Sequence, residues 1–409
     1  MQRIDKSQLN IILYVNSFLP LLGGREFVVH YLADSLKKLG HKVRVLGPAG
    51  FWSERKAHFG YSLHRWPTLR GLFPEQIALS HLYLDVAIWG ADIIHAHNTY
   101  PTGFNAARLN AFRKCPLVIT PHGEDVQIIP ELGYGLRLNP ALSKKISFAM
   151  QSAQFVTAIS GSVEAAILDS GISGQKIRRV PNGVDIERFN RKRTADIREW
   201  LGIPKQSRLI VTVGRYNPRK GQEVLIRSMP QILVVEPWAR LVIVGDQTEA
   251  LHPLIRELNL QDKVVLTGPI SPHPSNIGVE GISDQLHTDW LAEIYGTSEM
   301  YVSAGMDENA EGLSLAVLEG MAAGLPIIAT DISGNRDVVR DDYNGHLVPP
   351  ADHQQLANSI LRILNNPESR ARMGVNARTT VSQFDWLEIA KQYLNVYHEA
   401  IEKHRSELS

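Results

Sequence analysis

The sequence is poor in cysteine, in net charge and in long apolar runs. Its one cysteine among 409 residues, Cys115, can form neither an intramolecular disulfide nor a thiolate zinc cluster, which favours a reducing compartment. Lys and Arg number 43 against 42 Asp and Glu, so a net charge of +1 provides no general attraction for nucleic acid. No run approaches the roughly 18 apolar residues of a membrane span, and residues 11–15 are too short for a signal-peptide core. These absences predict a cytoplasmic protein with no nucleic-acid partner.

The length of the chain and a break in its secondary-structure pattern predict two domains. A chain of 409 residues matches two domains of about 150 to 200 residues each. Pro181, Asn182 and Gly183 interrupt the pattern and a basic run follows, so the boundary is predicted near residues 182–195. We assign residues 1–188 to the first domain and residues 189–384 to the second.

Short β-branched runs alternate with helical patterns in both halves. The helix predicted from residue 26 to residue 39 lies between the first two runs and makes a βαβ unit with them. Such alternation predicts an α/β fold with two doubly wound, Rossmann-like parallel sheets. The predicted strands are residues 11–15, 43–46, 92–95, 117–120, 155–159 and 177–180, and then 209–213, 240–244, 263–266, 300–303, 326–329 and 346–348.

Two glutamates flank a predicted helix start in the segment EGLSLAVLE. Gly312 frees the turn, Ser314 can cap, and the helix is predicted over residues 315–323. The unpaired backbone N–H groups of such a start form an anion site suited to a diphosphate. Glu311 and Glu319 can accept hydrogen bonds from sugar hydroxyls, although solvated helix-end acids would show the same pattern.

A second cluster, LIVTVGRYNPRKG, places two cations after a predicted strand that ends at Gly214. A helix is predicted to begin after Gly221. Lys220 is electrostatically disfavoured at a helix start, which suggests that an anion completes the site. Arg215 offers a planar fork for a phosphate. An ordinary basic surface loop is the alternative.

The first domain carries weaker signals. Gly23 and Gly24 open its first helix and allow a ligand to approach the backbone closely. His122, in ITPHGED after a strand, can bind a sugar hydroxyl or carry a proton. His95 and His97 alternate along one strand, and without a local acidic or cysteine cluster we interpret them as structural, with His97 the one that can face a cleft.

Taken together, these segments resemble the retaining glycosyltransferases of family 4, which have the GT-B fold. The resemblance extends from residue 11 nearly to the carboxyl terminus. The segments that carry it are LLGGREFVVHYLADSLKKLGHKVRVL, ITPHGED, VPNGVDIERF, VGRYNPRKG, EGLSLAVLEGMAAGLPIIAT and FDWLEIAKQYLNVY.

The resemblance implies two domains that face each other across a cleft. The first would bind the acceptor and be completed by the carboxyl-terminal helix, residues 385–409, while the second would bind the nucleotide sugar. The implied catalytic residues are His122, Arg215, Lys220 and Glu311. The implied donor-binding residues are Gly23, Gly24, Gly214, Gly268, Gly312, Leu313, Ser314, Leu315 and Glu319.

The implied roles fit the chemistry of these side chains. Arg215 and Lys220 would neutralise the diphosphate leaving group, with help from the backbone amides of Ser314 and Leu315. Glu319 would bind the ribose, while Glu311 and His122 would bind hydroxyls of the transferred sugar. No cofactor and no divalent metal is expected.

The substrates are less defined than the reaction. We favour a UDP-sugar over GDP-mannose, and a glycan, a lipid-linked sugar or a small molecule would all serve as acceptor. A nucleotide-sugar epimerase of the same fold and a non-catalytic sugar-binding protein are the alternatives. The pattern departs from the family at Ser314, where a second glycine is common, and at residues 271–285, an apparent insertion.

Residues 51–75 interleave aromatic and basic side chains. The stretch is compatible with peripheral contact with the inner face of a membrane. We favour an irregular surface loop with a few buried aromatics.

Overall fold

The computed structural model describes residues 8–19, 23–48, 59–66, 74–110, 114–195, 197–270, 288–307 and 312–408. These residues form two units. One contains the described residues up to Asn182 together with the helix that begins at Trp386, and the other contains those from Gly183 to Asp385. The functional assignment of the two domains, and their predicted boundaries at residues 188 and 384, stay predictions.

The first unit contains a parallel sheet whose strands alternate with helices along the chain, except between the second and third strands, where residues 49–58 lie outside the described residues. Its seven described strands follow the order β3-β2-β1-β4-β5-β6-β7. The strands are β1 (Asn10–Tyr14), β2 (Lys42–Pro48), β3 (Ser62–Trp66), β4 (Ile93–His97), β5 (Leu117–Thr120), β6 (Phe155–Ala158) and β7 (Ile177–Arg179). The helices up to residue 182 are α1 (Gly24–Lys38), α2 (Pro74–Leu84), α3 (Phe104–Leu109), α4 (Pro140–Ser152) and α5 (Gly161–Asp169).

The edge strand β3 corrects the interpretation of residues 51–75 as an irregular loop. Only the last of its five residues, Trp66, is buried, and its ring centroid lies 5.6 Å from that of Tyr14. With a single buried residue and two basic residues, the run lacks the β-branched signature of the other strands. Three other aromatic residues of this stretch, Phe51, Trp52 and Phe73, lie outside the described residues.

The second unit repeats the architecture of the first. Its six described strands are parallel in the order β10-β9-β8-β11-β12-β13. The strands are β8 (Arg208–Val213), β9 (Ala239–Val244), β10 (Val264–Gly268), β11 (Met300–Ser303), β12 (Ile327–Thr330) and β13 (Gly345–Val348). The helices are α6 (Ile186–Asn190), α7 (Ile197–Trp200), α8 (Gln222–Val235), α9 (His252–Glu257), α10 (Trp290–Thr297), α11 (Leu315–Ala322), α12 (Ser333–Arg336), α13 (His353–Leu364) and α14 (Pro367–Val381).

Helices bury both faces of this second sheet, which is why its strands read as continuous apolar runs. Along β8, Leu209 and Val211 belong to one apolar cluster, while Ile210 between them belongs to the cluster on the other face. This alternation follows from the two-residue period of a strand. All twelve strands predicted from the sequence are present, within two residues at either end.

The last helix, α15 (Trp386–Leu408), packs in the first unit, as the resemblance implies. Trp386 stacks on Tyr31 of α1 with ring centroids 5.8 Å apart, and the Tyr397 hydroxyl lies 2.7 Å from Nδ1 of His95. Leu387, the next residue along this helix, is exposed, because the buried stripe begins at Trp386.

Among the described residues, no helix combines the length and apolar character needed to cross a membrane.

Candidate active site

The predicted site residues cluster where each sheet reverses its strand order. In the first sheet this point lies between β1 and β4, and in the second it lies between β8 and β11. Loops at the carboxyl ends of such strands form a crevice in which doubly wound folds bind their ligands.

In the second unit, the loop after β8 brings Lys220 back onto Gly214. Pro218–Lys220 forms one turn of 3-10 helix, and the Asn217 side chain accepts a hydrogen bond from the Arg219 amide at its start. A Cβ atom at Gly214 would lie only 3.0 Å from Nζ of Lys220. The ammonium group therefore lies against the end of the strand. Arg215 is exposed beside it.

Gly221 holds the same loop against the neighbouring strand. Its φ of 64° is in the left-handed region, and a Cβ there would overlap the carbonyl oxygen of Ala304, just after β11. The Met306 amide also donates to the Arg219 carbonyl at 2.8 Å. This loop, residues 214–221, is called the cation loop below, and it is thus fixed between the carboxyl ends of β8 and β11.

Gly268 is the last residue of β10, which pairs with β9, and it lies at the same edge of the sheet. The Gly245 amide, just after β9, donates to its carbonyl oxygen at 3.0 Å, as does the Thr267 hydroxyl at 2.8 Å. A Cβ at Gly245 would overlap the Gly214 carbonyl oxygen. Gly214 and Gly268 are therefore each packed or hydrogen-bonded against Gly245.

Helix α11 begins at its predicted first residue, Leu315, and ends one residue early. Gly312 lies in the bend before it, Leu313 is buried, and Leu315 is its first residue. The expected side-chain cap is wrong, because Ser314 makes no capping hydrogen bond with its hydroxyl and uses only its carbonyl oxygen, which accepts from the Leu318 amide at 3.4 Å. The first-turn amides are thus not satisfied by the Ser314 hydroxyl. Glu311 lies outside the described residues.

Glu319 is held by a tyrosine that the sequence did not single out. The Tyr295 hydroxyl, on α10, lies 3.0 Å from Oε2 of Glu319 and 3.1 Å from the Ala316 carbonyl oxygen, so its single proton is shared between two acceptors. Glu319 as a whole is half-buried. Burial raises the pKa of Glu319, and the charge of Arg188 and the Tyr295 hydrogen bond act in the opposite direction.

A buried ion pair ties α6 to α10 beside this carboxylate. Arg188 donates to the two oxygens of Asp289 at 2.8 and 3.2 Å, and Asp289 caps α10 by accepting from the Ala292 amide. Burial acts to raise the pKa of Asp289, but the hydrogen bonds and charge of Arg188 outweigh it and hold the pKa below its ordinary value.

In the first unit, Gly23 and Gly24 at the start of α1 lie beside charged side chains. Gly23 is the residue before α1 and Gly24 is its first residue; a Cβ at Gly23 would overlap the Glu26 carboxylate. Glu26 also accepts hydrogen bonds from Ser17 and Arg25. Arg25 donates to the Asn98 side chain at 3.1 Å and so links α1 to the carboxyl end of β4.

Asp125 holds the backbone of His122 in place through a hydrogen bond to its amide. One oxygen of this completely buried carboxylate accepts from the His122 amide at 3.0 Å and the other from the Thr99 amide at 2.7 Å. Burial raises the pKa of Asp125, although these hydrogen bonds act to lower it. The Asp125 carboxylate therefore ties the loop after β5 to the loop after β4.

The two histidines of β4 have different surroundings. His95 is structural as predicted, since Tyr397 and Thr120 lie within hydrogen-bond distance of its two nitrogens. Among the described residues the His97 ring has one hydrogen-bond partner, His122, with Nδ1 of His97 3.1 Å from Nε2 of His122. Burial lowers the pKa of His97 to about 3, with Arg25 adding to the effect. Burial likewise lowers the pKa of His122 well below its ordinary value, helped by His97 and Arg25.

Among the described residues, one group offers metal ligands within reach of one another: Asp341, Asp342 and His346. The imidazole of His346 lies 3.3 Å from Asp341, and Arg362 pairs with Asp342 at 2.8 Å. These contacts account for the group without an ion, and none of its members was predicted in the site.

The site residues thus fall into two separate sets. In the second unit the structure brings Gly214, Lys220 and Gly268 to one sheet edge and places Glu319 on α11. Gly23, Gly24 and His122 belong to the first unit. Sequence reasoning missed Tyr295, which lies in no recognised motif, and it quoted the segments VPNGVDIERF and ITPHGED without assigning a task to Arg188 or Asp125.

Two families of known proteins match the chain. The family described as glycosyltransferase family 4 matches residues 22–188, and that described as glycosyl transferases group 1 matches residues 207–366. The N-acetyl-alpha-D-glucosaminyl L-malate synthase of Bacillus anthracis is 23% identical, over 93% of this chain and 95% of that protein.

Solved structures share the fold over most of the chain. Sucrose-phosphate synthase of Thermosynechococcus elongatus superposes with a TM-score of 0.79 at 22% identity, covering 97% of this chain and all 100% of that one. The Anabaena protein HepE, solved in complex with UDP-glucose, gives a TM-score of 0.76 at 20% identity over 95% of this chain and 99% of its own.

Proposed function

Because the chain belongs to the family 4, or group 1, glycosyltransferases, we propose that it transfers a sugar from a nucleoside-diphosphate sugar to an acceptor hydroxyl with retention of anomeric configuration. Its two α/β units have the GT-B fold of its structural neighbours, as the sequence predicted. The enzyme class is established by the family, while the sugar donor, the acceptor and the stereochemistry are the subject of the proposal.

The cation loop of the second unit carries this proposal. Lys220 lies against Gly214 at the point where the strand order reverses, and Gly221 fixes it against the next strand. A diphosphate bound there would meet the Lys220 ammonium, the Arg215 guanidinium and backbone amides that include those at the start of α11. The charge on the diphosphate grows as the glycosidic bond breaks, so these groups stabilise the transition state more than the bound substrate.

The transfer exchanges one carbon–oxygen bond for another. The bond from the anomeric carbon to the diphosphate breaks, and a bond to the acceptor oxygen forms on the same face of the sugar. The acceptor's proton passes to the departing phosphate oxygen, so no protein base is required. Lys220 and Arg215 balance the negative charge of the leaving group, and for that reason we propose that no divalent metal or other cofactor is needed.

Glu319 is proposed to hold the ribose of the sugar donor. Tyr295 binds Oε2 and leaves the carboxylate with further acceptor sites for ribose hydroxyls. Glu311, Gly312 and Leu313 would complete the binding of the transferred sugar and the diphosphate, while Gly268 would lie beside the base. In the first unit, His122 would bind a sugar hydroxyl, and Gly23 and Gly24 would allow close approach to the start of α1.

A UDP-sugar is the favoured donor, and the UDP-glucose complex of HepE supports this choice. GDP-mannose is the competing donor. The acceptor class stays open among glycans, lipid-linked sugars and small molecules, at a cytoplasmic location with or without contact with the membrane surface.

The proposal is tested by measuring nucleoside diphosphate released from a panel of UDP- and GDP-sugars, with and without candidate acceptors, in the presence of a chelator. We expect one UDP-sugar to be consumed and the anomeric proton of the product to report retention by NMR. Release of GDP alone would reassign the sugar donor. Absence of both binding and turnover across the panel would contradict the proposal.

The Lys220→Ala variant tests the assignment of the site. We expect turnover to fall by at least about tenfold, since a charged hydrogen bond contributes about 1.5 to 3 kcal/mol. Lys205→Ala is the matched control, because Lys205 is an exposed lysine just before the amino end of the same strand, β8. Unchanged turnover in Lys220→Ala would exclude the proposed role of Lys220.

A further inference from the structure

We propose that His97 is a positioning residue that fixes the tautomer of His122 by donating its Nδ1 proton to Nε2 of His122. His122 then carries its own proton on Nδ1 and offers that group to a hydroxyl oxygen of the sugar. This inference rests on the proposed function, which places His122 in the sugar site.

The geometry defines one hydrogen bond with two ways of placing its proton. Nδ1 of His97 and Nε2 of His122 lie 3.1 Å apart, and the two rings are nearly parallel, with an interplanar angle of 23°. Two neutral imidazoles can share only one proton across this distance. Either His97 donates through Nδ1 or His122 donates through Nε2.

The other nitrogen of His97 decides between them. His97 is completely buried, and its Nε2 has no hydrogen-bond partner among the described residues. If His122 were the donor, His97 would carry its proton on this Nε2 and leave a buried N–H unsatisfied. If His97 is the donor, Nε2 keeps only a lone pair. The second arrangement is favoured, because a buried N–H without an acceptor costs about 1 to 3 kcal/mol and orphaned donors are rarer than under-satisfied acceptors.

Both rings are kept neutral by their surroundings. Arg25 places a fixed positive charge near them, and burial disfavours the imidazolium form of each. Neutrality is what makes the tautomer meaningful, since a charged imidazole would donate from both nitrogens.

The remaining nitrogen of His122 is the group offered to substrate. Nδ1 of His122 makes no hydrogen bond to the described residues and is not among their enclosed, unpartnered atoms. With its proton there, His122 donates to an oxygen and cannot act as a base through that nitrogen. The assignment therefore gives His122 a binding role and agrees with a transfer in which the leaving phosphate takes the proton.

Nitrogen NMR of the wild-type enzyme, labelled with 15N at its histidines, tests the assignment without any change to His97. The signals of His122 are identified among the 15 histidines by their loss in His122→Asn. We expect a protonated Nδ1 and an unprotonated Nε2 at neutral pH. The opposite pattern, or a proton shared between the two nitrogens, would overturn the proposal even if the enzyme proves to be an active glycosyltransferase.

Two substitutions separate positioning from packing. His97→Asn keeps an N–H donor near the position of Nδ1, whereas His97→Leu removes it. We expect His97→Leu to lose the Nδ1–H preference of His122 and about tenfold in kcat/KM, and His97→Asn to keep both near wild type. Equal loss in both variants, with the tautomer unchanged, would contradict the proposal.

His95→Gln is the control for general disturbance of β4. His95 is hydrogen-bonded within the fold, and it is the neighbouring side chain on the same face of the strand, two residues before His97. We expect it to lower stability without changing the tautomer of His122. Because the NMR result does not depend on turnover, failure of this inference and failure of the proposed function are distinguishable.

Discussion

At the scale of single residues, the hydrogen bond from Tyr295 fixes the position of Glu319, the helix acid that we propose binds the ribose. The hydroxyl holds one carboxylate oxygen at 3.0 Å while also bonding the helix backbone at Ala316. The sequence predicted Glu319 from its position in EGLSLAVLE, because helix starts and their acids follow local rules. It gave no sign of Tyr295, since a partner 24 residues away on another helix has no local pattern.

Removing that hydroxyl should weaken nucleotide binding through Glu319. We expect Tyr295→Phe and Glu319→Ala each to raise the UDP dissociation constant by about tenfold, the value of one good hydrogen bond. The double variant should be little worse than either single variant, because both changes remove the same interaction. Titration calorimetry with UDP measures this, and fully additive losses would show that the two residues act independently.

Gly221 provides a test of the loop geometry itself. Gly221→Ala is expected to lower both stability and turnover, because it combines the cost of a left-handed backbone, about 1 to 2 kcal/mol, with overlap against the Ala304 carbonyl oxygen. Gly202 is a matched control, with a φ of 66° but nothing within 4 Å of the position that a Cβ atom would occupy.

The two variants therefore separate backbone strain from the close approach. Urea unfolding should show a loss near 1 kcal/mol for Gly202→Ala and a clearly larger one for Gly221→Ala. Turnover should fall only in the latter. Equal effects in the two variants would mean that the contact with β11 does not hold the cation loop.

At the scale of elements, the sequence predicted every described strand except β3, but not the contacts between the strand ends. β-branched runs are local, so β8 and β11 could be recognised separately. That Gly221 packs on Ala304, or that His97 of β4 bonds His122 after β5, depends on which strands become neighbours. The missed edge strand β3 shows the same limit, since its single buried residue gives almost no pattern.

The histidines of β4 and the β5 loop predict how stability depends on pH. His95, His97 and His122 have pKa values lowered from the ordinary 6.5, chiefly by burial. Below that value the unfolded chain binds protons that the folded chain does not, so the free energy of unfolding falls as the pH falls. For His97 this continues to about pH 3. Each group contributes at most about 1.4 kcal/mol per pH unit. Asp125, with its raised pKa, acts in the opposite direction at lower pH.

Comparison of wild type with His95→Gln measures one of these contributions. Urea midpoints recorded between about pH 7.5 and about pH 5.5 should fall with acidification in wild type, and less steeply in the variant. The variant is expected to start from a lower midpoint, because Tyr397 and Thr120 lose a well-placed partner. Identical pH dependence in the two proteins would show that His95 does not titrate on unfolding.

At the scale of the whole molecule, the chain contains one architecture twice, and the two copies carry different functional groups at the carboxyl ends of their strands. The second sheet edge carries Lys220, Arg215 and the start of α11, and the first carries a glycine loop closed by Arg25 and Glu26 together with the two linked histidines. The restart of the strand pattern made the two-domain fold predictable. The resemblance in the cation loop and in EGLSLAVLE indicated which domain binds the nucleotide.

The central claim is that the second unit binds the diphosphate of the sugar donor at the cation loop and at the start of α11. Hydrogen–deuterium exchange of the protein with and without saturating UDP tests it most directly, because the ligand should protect the amides that bind it. We predict slower exchange in peptides covering residues 214–222 and 312–319. Bound UDP that leaves both peptides unprotected would contradict the account.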